Sequence, residues 1–129
     1  MIKQILSVAL IACISAQQAE IVRQMPGCEP FNFNVYSGYL TVSTSKALHY
    51  AFVNSQSDPI NDPVVIWFNG GPGCSSMLGF FQEHGPCIID DGQTYAKENP
   101  YPWNMRANVL YIESPAGVGY SYANINDLF

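Results

Sequence analysis

The sequence is poor in charged residues, and positive charges are the scarcer kind. Charged residues make up 12% of the 129 positions, with five Lys or Arg against ten Asp or Glu. A protein that binds the phosphate backbone of a nucleic acid carries a basic surface, so no nucleic-acid partner is expected. Hydrophobic residues make up 48% of the chain. This share excludes disorder by composition and indicates a chain with a buried core.

Residues that bind metal ions or cofactors are also few. The only histidines are His49 and His84, which stand far apart and away from any pair of cysteines. The four cysteines show no spacing typical of a zinc site. The glycines form neither a Walker motif nor the dinucleotide-binding pattern. The sequence therefore predicts no metal ion and no cofactor.

No hydrophobic run is long enough to cross a membrane. The apolar run from Ile5 to Ile14 follows Lys3 and ends at small residues, whereas a spanning helix needs about 20 residues. We predict a signal peptide over residues 1–16 and no membrane anchor. The mature chain would then be residues 17–129. Its expected route is the secretory pathway, to the extracellular space or to a lysosome or vacuole.

Removal of the signal peptide changes the number of cysteines. It takes away Cys13 and leaves Cys28, Cys74 and Cys87. An odd number in an oxidising compartment leaves one cysteine without a partner inside the chain. Three buried thiols are the alternative interpretation.

The pattern of apolar, glycine and proline residues predicts an α/β chain with an incomplete mixed sheet. A strand over residues 33–42, broken near Ser37 and Gly38, precedes a second strand over 48–54, and the two are close enough to form a hairpin. Five consecutive apolar residues over 64–68 predict a central strand covered on both faces. The remaining predicted elements are a short helix over 75–84, a strand over 108–113, and loops over 55–63 and 90–101.

The strongest local signal is the glycine-rich segment Asn69-Gly70-Gly71-Pro72-Gly73-Cys74-Ser75-Ser76 between a predicted strand and a predicted helix. Its glycines let backbone amides approach a bound group that a Cβ would block. Such a turn also serves merely to reverse the chain. Because the spacing does not fit a phosphate site, an oxyanion hole is the remaining functional interpretation.

An ordered series of motifs resembles the serine carboxypeptidase family. The resemblance covers nearly the whole mature chain and is carried by Tyr36 to Leu40, Leu48-His49-Tyr50, Trp67 to Ser76, Glu83 to Pro86, Asn99-Pro100-Tyr101, Trp103-Asn104 and Asn108 to Tyr122. It implies that residues 17–129 are the N-terminal part of an α/β-hydrolase fold. It also implies a serine-type carboxypeptidase, which removes C-terminal residues from peptides through an acyl-enzyme.

The resemblance assigns roles to four residues. In this family Asn69, the Gly70 amide and Glu83 match positions that bind the free C-terminal carboxylate of the peptide. Gly71 matches the first amide donor of the oxyanion hole. Glu83 can donate to a carboxylate only while protonated, so an acidic working range is expected. From the sequence alone, a solvated acid at a helix end is the alternative for Glu83.

The resemblance places the catalytic triad outside this chain. The family's nucleophile elbow, Asp and His all lie beyond Phe129, so we expect the chain alone to be inactive. Ser121 only superficially resembles an elbow serine, because Ala123 stands where the pattern needs glycine. His49 and His84 are expected to be packed or surface residues.

The resemblance also bears on the cysteines. Cys87 departs from the apolar residue that many relatives carry, which suggests that it pairs with Cys28. Cys74 would pair with a cysteine beyond the end of the chain. These pairings account for the odd number of cysteines.

Two other functions stay open at this point. Members of the family with the same fold transfer the acyl group to an alcohol instead of water. A short chain of this kind could also act as a non-catalytic binding or decoy module. The partner expected for the favoured function is the C-terminus of a peptide.

Overall fold

The computed structural model describes residues 19–28 and 30–124. The predicted signal peptide, residues 1–16, lies outside this part of the chain. The described ranges contain eight strands and two short helical turns, a π-helical turn at Gly79–Glu83 and a 3₁₀ turn at Trp103–Met105. The strands are β1 (Glu20–Val22), β2 (Val35–Ser43), β3 (Lys46–Val53), β4 (Val64–Trp67), β5 (Cys87–Ile88), β6 (Lys97–Glu98), β7 (Asn108–Ile112) and β8 (Tyr122–Ala123).

One mixed sheet forms the centre of the fold. Its strand order is β1-β2-β3-β7-β4, with β8 paired to β3, while β5 and β6 form a separate pair. Strands β1, β2, β3 and β7 pair antiparallel, whereas β4 pairs parallel to β7. The carboxyl ends of β4 and β7 therefore meet at the same edge of the sheet. The segments that follow these two strands form the candidate site.

The β2–β3 hairpin confirms the predicted antiparallel pairing, with Leu40 opposite Leu48. The predicted break near Ser37 and Gly38 is wrong, since β2 runs through both residues. Gly38 lies opposite Tyr50, and a Cβ built on it would come within 3.0 Å of the Tyr50 hydroxyl. Glycine at this position makes room for the tyrosine ring and does not end the strand.

The core lies between one face of the sheet and the π-helical turn. Side chains alternate along β3, so every second residue is buried. The buried cluster is made by residues of β2, β3, β7 and the helical turn: Val35, Ala51, Val53, Phe80, Val109 and Tyr111. Trp67, Met77 and Phe81 pack against it while partly buried. This packing fixes the helical turn against the end of β4.

Two predicted elements differ from the structure. Strand β4 lies at the edge of the described sheet, and Val64 and Ile66 are more than half exposed, so no described residue covers that face. The helix predicted over residues 75–84 is shorter, and its regular part is the π-helical turn. A π turn widens the backbone, and such turns are frequent at functional sites.

Cys28 and Cys87 form a disulfide with their Cα atoms 6.5 Å apart. It links the segment before β2 to β5, which directly follows the π-helical turn. Ala96 is buried beside it. Cys74 is a free, exposed cysteine in the described part of the chain.

Candidate functional site

The candidate site is the glycine loop, residues 69–76, together with the π-helical turn that follows it. Gly71 has a φ of +136° and Gly73 a φ of +99°, a region that residues with a Cβ rarely adopt. The Gly71–Pro72 peptide bond is cis. Gly70 and Gly71 are exposed, and no atom lies within 4 Å of where a Gly70 Cβ would be. The loop therefore presents bare backbone to solvent.

Asn69 is held in one orientation by two donors. The Trp67 indole N–H donates to Asn69 Oδ1 at 2.7 Å, and the Gly79 backbone N–H donates to the same oxygen at 3.1 Å. Since two N–H donors identify that atom as the amide oxygen, the Asn69 NH₂ group points to the other side. There it lies 3.5 Å from Glu83 Oε1. This distance is too long for a strong hydrogen bond, so the amide keeps donor capacity for a ligand.

Glu83 is exposed at the last position of the π-helical turn. The structure thus brings Glu83 beside Asn69, fourteen positions away in sequence, and Gly70 and Gly71 follow Asn69 directly in the chain. These four are the residues that the sequence singled out. An amide donor therefore lies at the exposed surface between a carboxyl group and open backbone.

Gly79 was missed by the sequence analysis, although it decides the geometry of Asn69. A Cβ built on it would lie 2.4 Å from Trp67 Nε1 and 3.1 Å from Asn69 Oδ1. Only glycine lets the helical turn approach the indole and the amide this closely. Its position ten residues after Asn69 gave no sign of this contact, because the contact depends on how the chain folds back.

His84 is packed among aromatic rings behind Glu83. Its ring stacks on Trp103 at 4.0 Å between centroids and meets the edge of Trp67 at 4.3 Å. Nδ1 lies 3.0 Å from the Tyr111 hydroxyl, while Nε2 is buried without a hydrogen-bond partner in the described residues. Burial lowers the pKa of His84, against a smaller opposing effect of the Glu83 charge, and burial raises the pKa of the Tyr111 hydroxyl well above 10.

His49 lies in a different polar cluster, inside the sheet. Its Nε2 is 2.9 Å from Ser37 Oγ and its Nδ1 is 3.0 Å from Glu113 Oε2. The order serine, histidine, acid resembles that of a catalytic triad. Ser37, however, lies inside β2 and pairs with both β1 and β3, whereas the nucleophile of this fold stands on a sharp turn after a strand. We assign the cluster a structural role.

Ser121, the serine that superficially resembles an elbow, is buried in the same cluster. It accepts a hydrogen bond from the His49 backbone N–H at 2.8 Å and donates to the Glu113 carbonyl at 2.7 Å. Both hydrogen bonds hold the turn after β7 against β3. Its hydroxyl is therefore engaged in the fold and is not presented to a ligand.

The described residues show neither a metal-binding cluster nor a membrane-spanning helix. Over residues 19–28 and 30–124, no group of three or more His, Cys, Asp or Glu could hold a metal ion. Within the same ranges, no helix combines the length and the apolar character that a membrane crossing needs.

Comparison with known proteins identifies the family. The sequence profile of the serine carboxypeptidase family matches residues 26–128. The chain is 60% identical over 93 residues to the lysosomal protective protein of Mus musculus, a match that covers 72% of this chain and 20% of that protein. It is 46% identical over 128 residues to the serine carboxypeptidase ctsa-3.1 of Caenorhabditis elegans, covering 95% of this chain and 22% of the relative.

A solved structure agrees with the fold. The prohormone-processing carboxypeptidase Kex1(delta)p from Saccharomyces cerevisiae superposes with a TM-score of 0.69 at 24% identity, over 84% of this chain and 26% of that one. This likeness confirms the predicted fold class. The chain spans about a fifth to a quarter of the length of these relatives. It belongs to the serine carboxypeptidase family.

Proposed function

We propose that the whole protein, the longer chain to which these residues would belong, is a serine-type carboxypeptidase that binds a peptide by its free C-terminal carboxylate. The observation that carries the proposal is the orientation of Asn69. Its amide oxygen accepts from two N–H donors. Its NH₂ nitrogen lies 3.5 Å from Glu83 Oε1 at the exposed surface. A group held this way is aimed before the ligand arrives, which lowers the entropic cost of binding.

The carboxylate site works by three donors. The Asn69 amide donates to one oxygen of the substrate carboxylate, and the Gly70 backbone N–H donates to it as well. Glu83 contributes only as a carboxylic acid, because an ionised carboxylate accepts hydrogen bonds and repels a second anion. The proposal therefore requires the acid form of Glu83 in the complex with the substrate.

The Gly71 amide is the proposed first donor of the oxyanion hole. During acyl transfer the carbonyl oxygen of the last peptide bond becomes negatively charged, and a pre-aimed N–H stabilises that charge by roughly 3 kcal/mol. Gly71 adjoins Gly70, so carboxylate and oxyanion would be held by neighbouring amides. This spacing confines the cut to the last peptide bond.

The nucleophile belongs, by the family resemblance, to the part of the protein beyond Phe129. A serine oxygen attacks the carbonyl carbon, a histidine takes the serine proton and gives it to the leaving amino acid, and water then releases the peptide from the ester. This chain supplies substrate recognition and one oxyanion donor. On this proposal it does not cut by itself.

We further propose that the protein enters the secretory pathway through residues 1–16. One relative is named as a lysosomal protein, and the chain contains a disulfide, which is typical of oxidising compartments. The extracellular space is the alternative destination.

The test uses the whole protein and two matched peptides, one with a free C-terminal carboxylate and one with a C-terminal amide. We expect release of the last residue from the acid at mildly acidic pH. KM for the acid should rise about 10- to 150-fold in Asn69→Ala, because one charge-assisted hydrogen bond is worth about 1.5–3 kcal/mol. An equal rate on acid and amide would contradict the carboxylate site. Transfer of the acyl group to an added alcohol, with little hydrolysis, would favour the acyltransferase.

A further inference from the structure

The glycine loop is anchored to the end of β7 by two successive serines. Ser76 is buried, and its hydroxyl donates to the Ile112 carbonyl at 2.6 Å and accepts from the Asn69 backbone N–H at 3.1 Å. The Ser76 hydroxyl thus links Asn69, at the start of the glycine loop, to Ile112, the last residue of β7. Ser75, the preceding residue, makes the second anchor.

The second anchor runs to a buried carboxylate. The Ser75 hydroxyl donates to Glu113 Oε1 and accepts from the Met77 backbone N–H at 3.1 Å. Glu113 is 0% exposed. Its other oxygen, Oε2, lies 3.0 Å from His49 Nδ1 and accepts from the Tyr120 backbone N–H at 2.8 Å. A carboxylate fixed by three donors cannot rotate, so it offers Ser75 a rigid partner.

The turn after β7 is shaped to fit this carboxylate. Gly119 has a φ of +54°, and a Cβ built on it would lie 1.8 Å from Glu113 Oε1. The close approach of the turn leaves no space for the carboxylate to move away. Burying a charged group without partners is costly, so such a completely partnered site marks an organised element of the fold.

We infer that Glu113, acting through Ser75, is a positioning residue that holds the glycine loop so that the Gly71 amide points at the oxyanion. The inference rests on the proposed carboxypeptidase function. Glu113 is buried beneath the loop and contacts no exposed group of the carboxylate site, so it acts on the reaction only through the loop. Loss of the anchor should lower kcat by a larger factor than it raises KM for the peptide, because Asn69 keeps its own donors from Trp67 and Gly79 although the Gly70 amide lies in the loosened loop.

Ser75→Ala in the whole protein removes the anchor. Ser75→Thr keeps the hydroxyl and should restore activity. Ser43→Ala is the matched control, because Ser43 Oγ also accepts a backbone N–H from two residues further on, at 3.2 Å, but lies in the β2–β3 hairpin. We expect kcat of Ser75→Ala to fall about 10- to 100-fold, since a displacement of about 1 Å can cost a factor of 100. Affinity for a peptide aldehyde that mimics the tetrahedral intermediate should fall in parallel with kcat, while affinity for a product peptide should fall by a smaller factor.

A second measurement does not depend on activity. Amide hydrogen exchange over residues 70–76 should be about tenfold faster in Ser75→Ala than in the wild type, and unchanged in Ser75→Thr and Ser43→Ala. Unchanged exchange in Ser75→Ala would overturn the anchoring. Faster exchange with an unchanged kcat would overturn the link to the oxyanion. A wild-type protein without peptidase activity would refute the proposed function, and the exchange data would still decide whether Glu113 and Ser75 hold the loop.

Discussion

The indole N–H of Trp67 is expected to contribute, through Asn69, to recognition of the substrate carboxylate. It donates to Asn69 Oδ1 at 2.7 Å, and the Gly79 backbone N–H is the other donor to that oxygen. In Trp67→Phe an aromatic ring stays beside His84, but one of the two donors is lost. The Asn69 amide is then less firmly held with its NH₂ group toward the ligand.

The size of the effect follows from a single hydrogen bond. Its net contribution is about 0.5–1.5 kcal/mol, which corresponds to a factor of about 2 to 13 in affinity. The hydrogen bond between Trp67 and Asn69 is the same in the bound substrate and in the transition state. KM for the free-acid peptide should therefore rise by this factor, while kcat stays nearly constant. The amide peptide, which has no carboxylate, should be affected less.

Trp103→Phe is the matched control for this prediction. Trp103 also lies against His84, with ring centroids 4.0 Å apart, but its indole makes no hydrogen bond to Asn69 among the described residues. The two variants lose the same atoms from neighbouring rings. If both raise KM for the free-acid peptide equally, or if Trp67→Phe acts equally on acid and amide, the argument from the Asn69 orientation is refuted.

Three further predictions concern stability and packing of the whole protein. Burial lowers the pKa of His84 below its ordinary value of 6.5. The unfolded state therefore binds more protons than the folded state as pH falls below that value, and the free energy of unfolding decreases. The urea midpoint of His84→Leu should fall less steeply with acidification than that of the wild type, and an identical slope would contradict this. Gly79→Ala should raise KM for the free-acid peptide, because its Cβ would lie 2.4 Å from Trp67 Nε1, and an unchanged KM would show that the indole can give way. The double variant Cys28→Ser/Cys87→Ser opens a disulfide between residues 59 apart and should lose about 2–4 kcal/mol of unfolding free energy; a loss below about 0.5 kcal/mol would contradict it.

Local pattern was sufficient for much of the fold. Alternation over residues 33–42 and the closeness of the next predicted strand, 48–54, predicted the hairpin. The apolar run of β4 followed by glycines predicted a strand and a tight loop. These features depend on neighbours along the chain. The same reasoning failed for Gly38, whose role is to make room for Tyr50 across the hairpin. A glycine that breaks a strand and one that admits a ring look alike in sequence.

The burial of β4 could not be predicted from its residues either. A run of apolar residues indicates that both faces of a strand are to be covered, but not which part of the protein covers them. In the described ranges Val64 and Ile66 stay more than half exposed. The prediction of a central strand therefore concerned contacts that the described residues do not make.

The chemistry of the glycine loop depends on residues that its motif does not include. A loop with Gly71 and Gly73 at positive φ is free to take many conformations in the unfolded chain, so fixing it costs more entropy than fixing an ordinary turn. Pro72 alone does not set the direction of the Gly71 amide. On the inference drawn above, the Gly71 amide is directed by the hydrogen bonds of Ser76 to Ile112 and of Ser75 to Glu113, contacts that span 36 and 38 residues. Both contacts form where the parallel strands β4 and β7 end. The proposed oxyanion donor thus depends on the sheet edge, and a glycine motif of the same composition on an antiparallel pair would lack the neighbouring strand end.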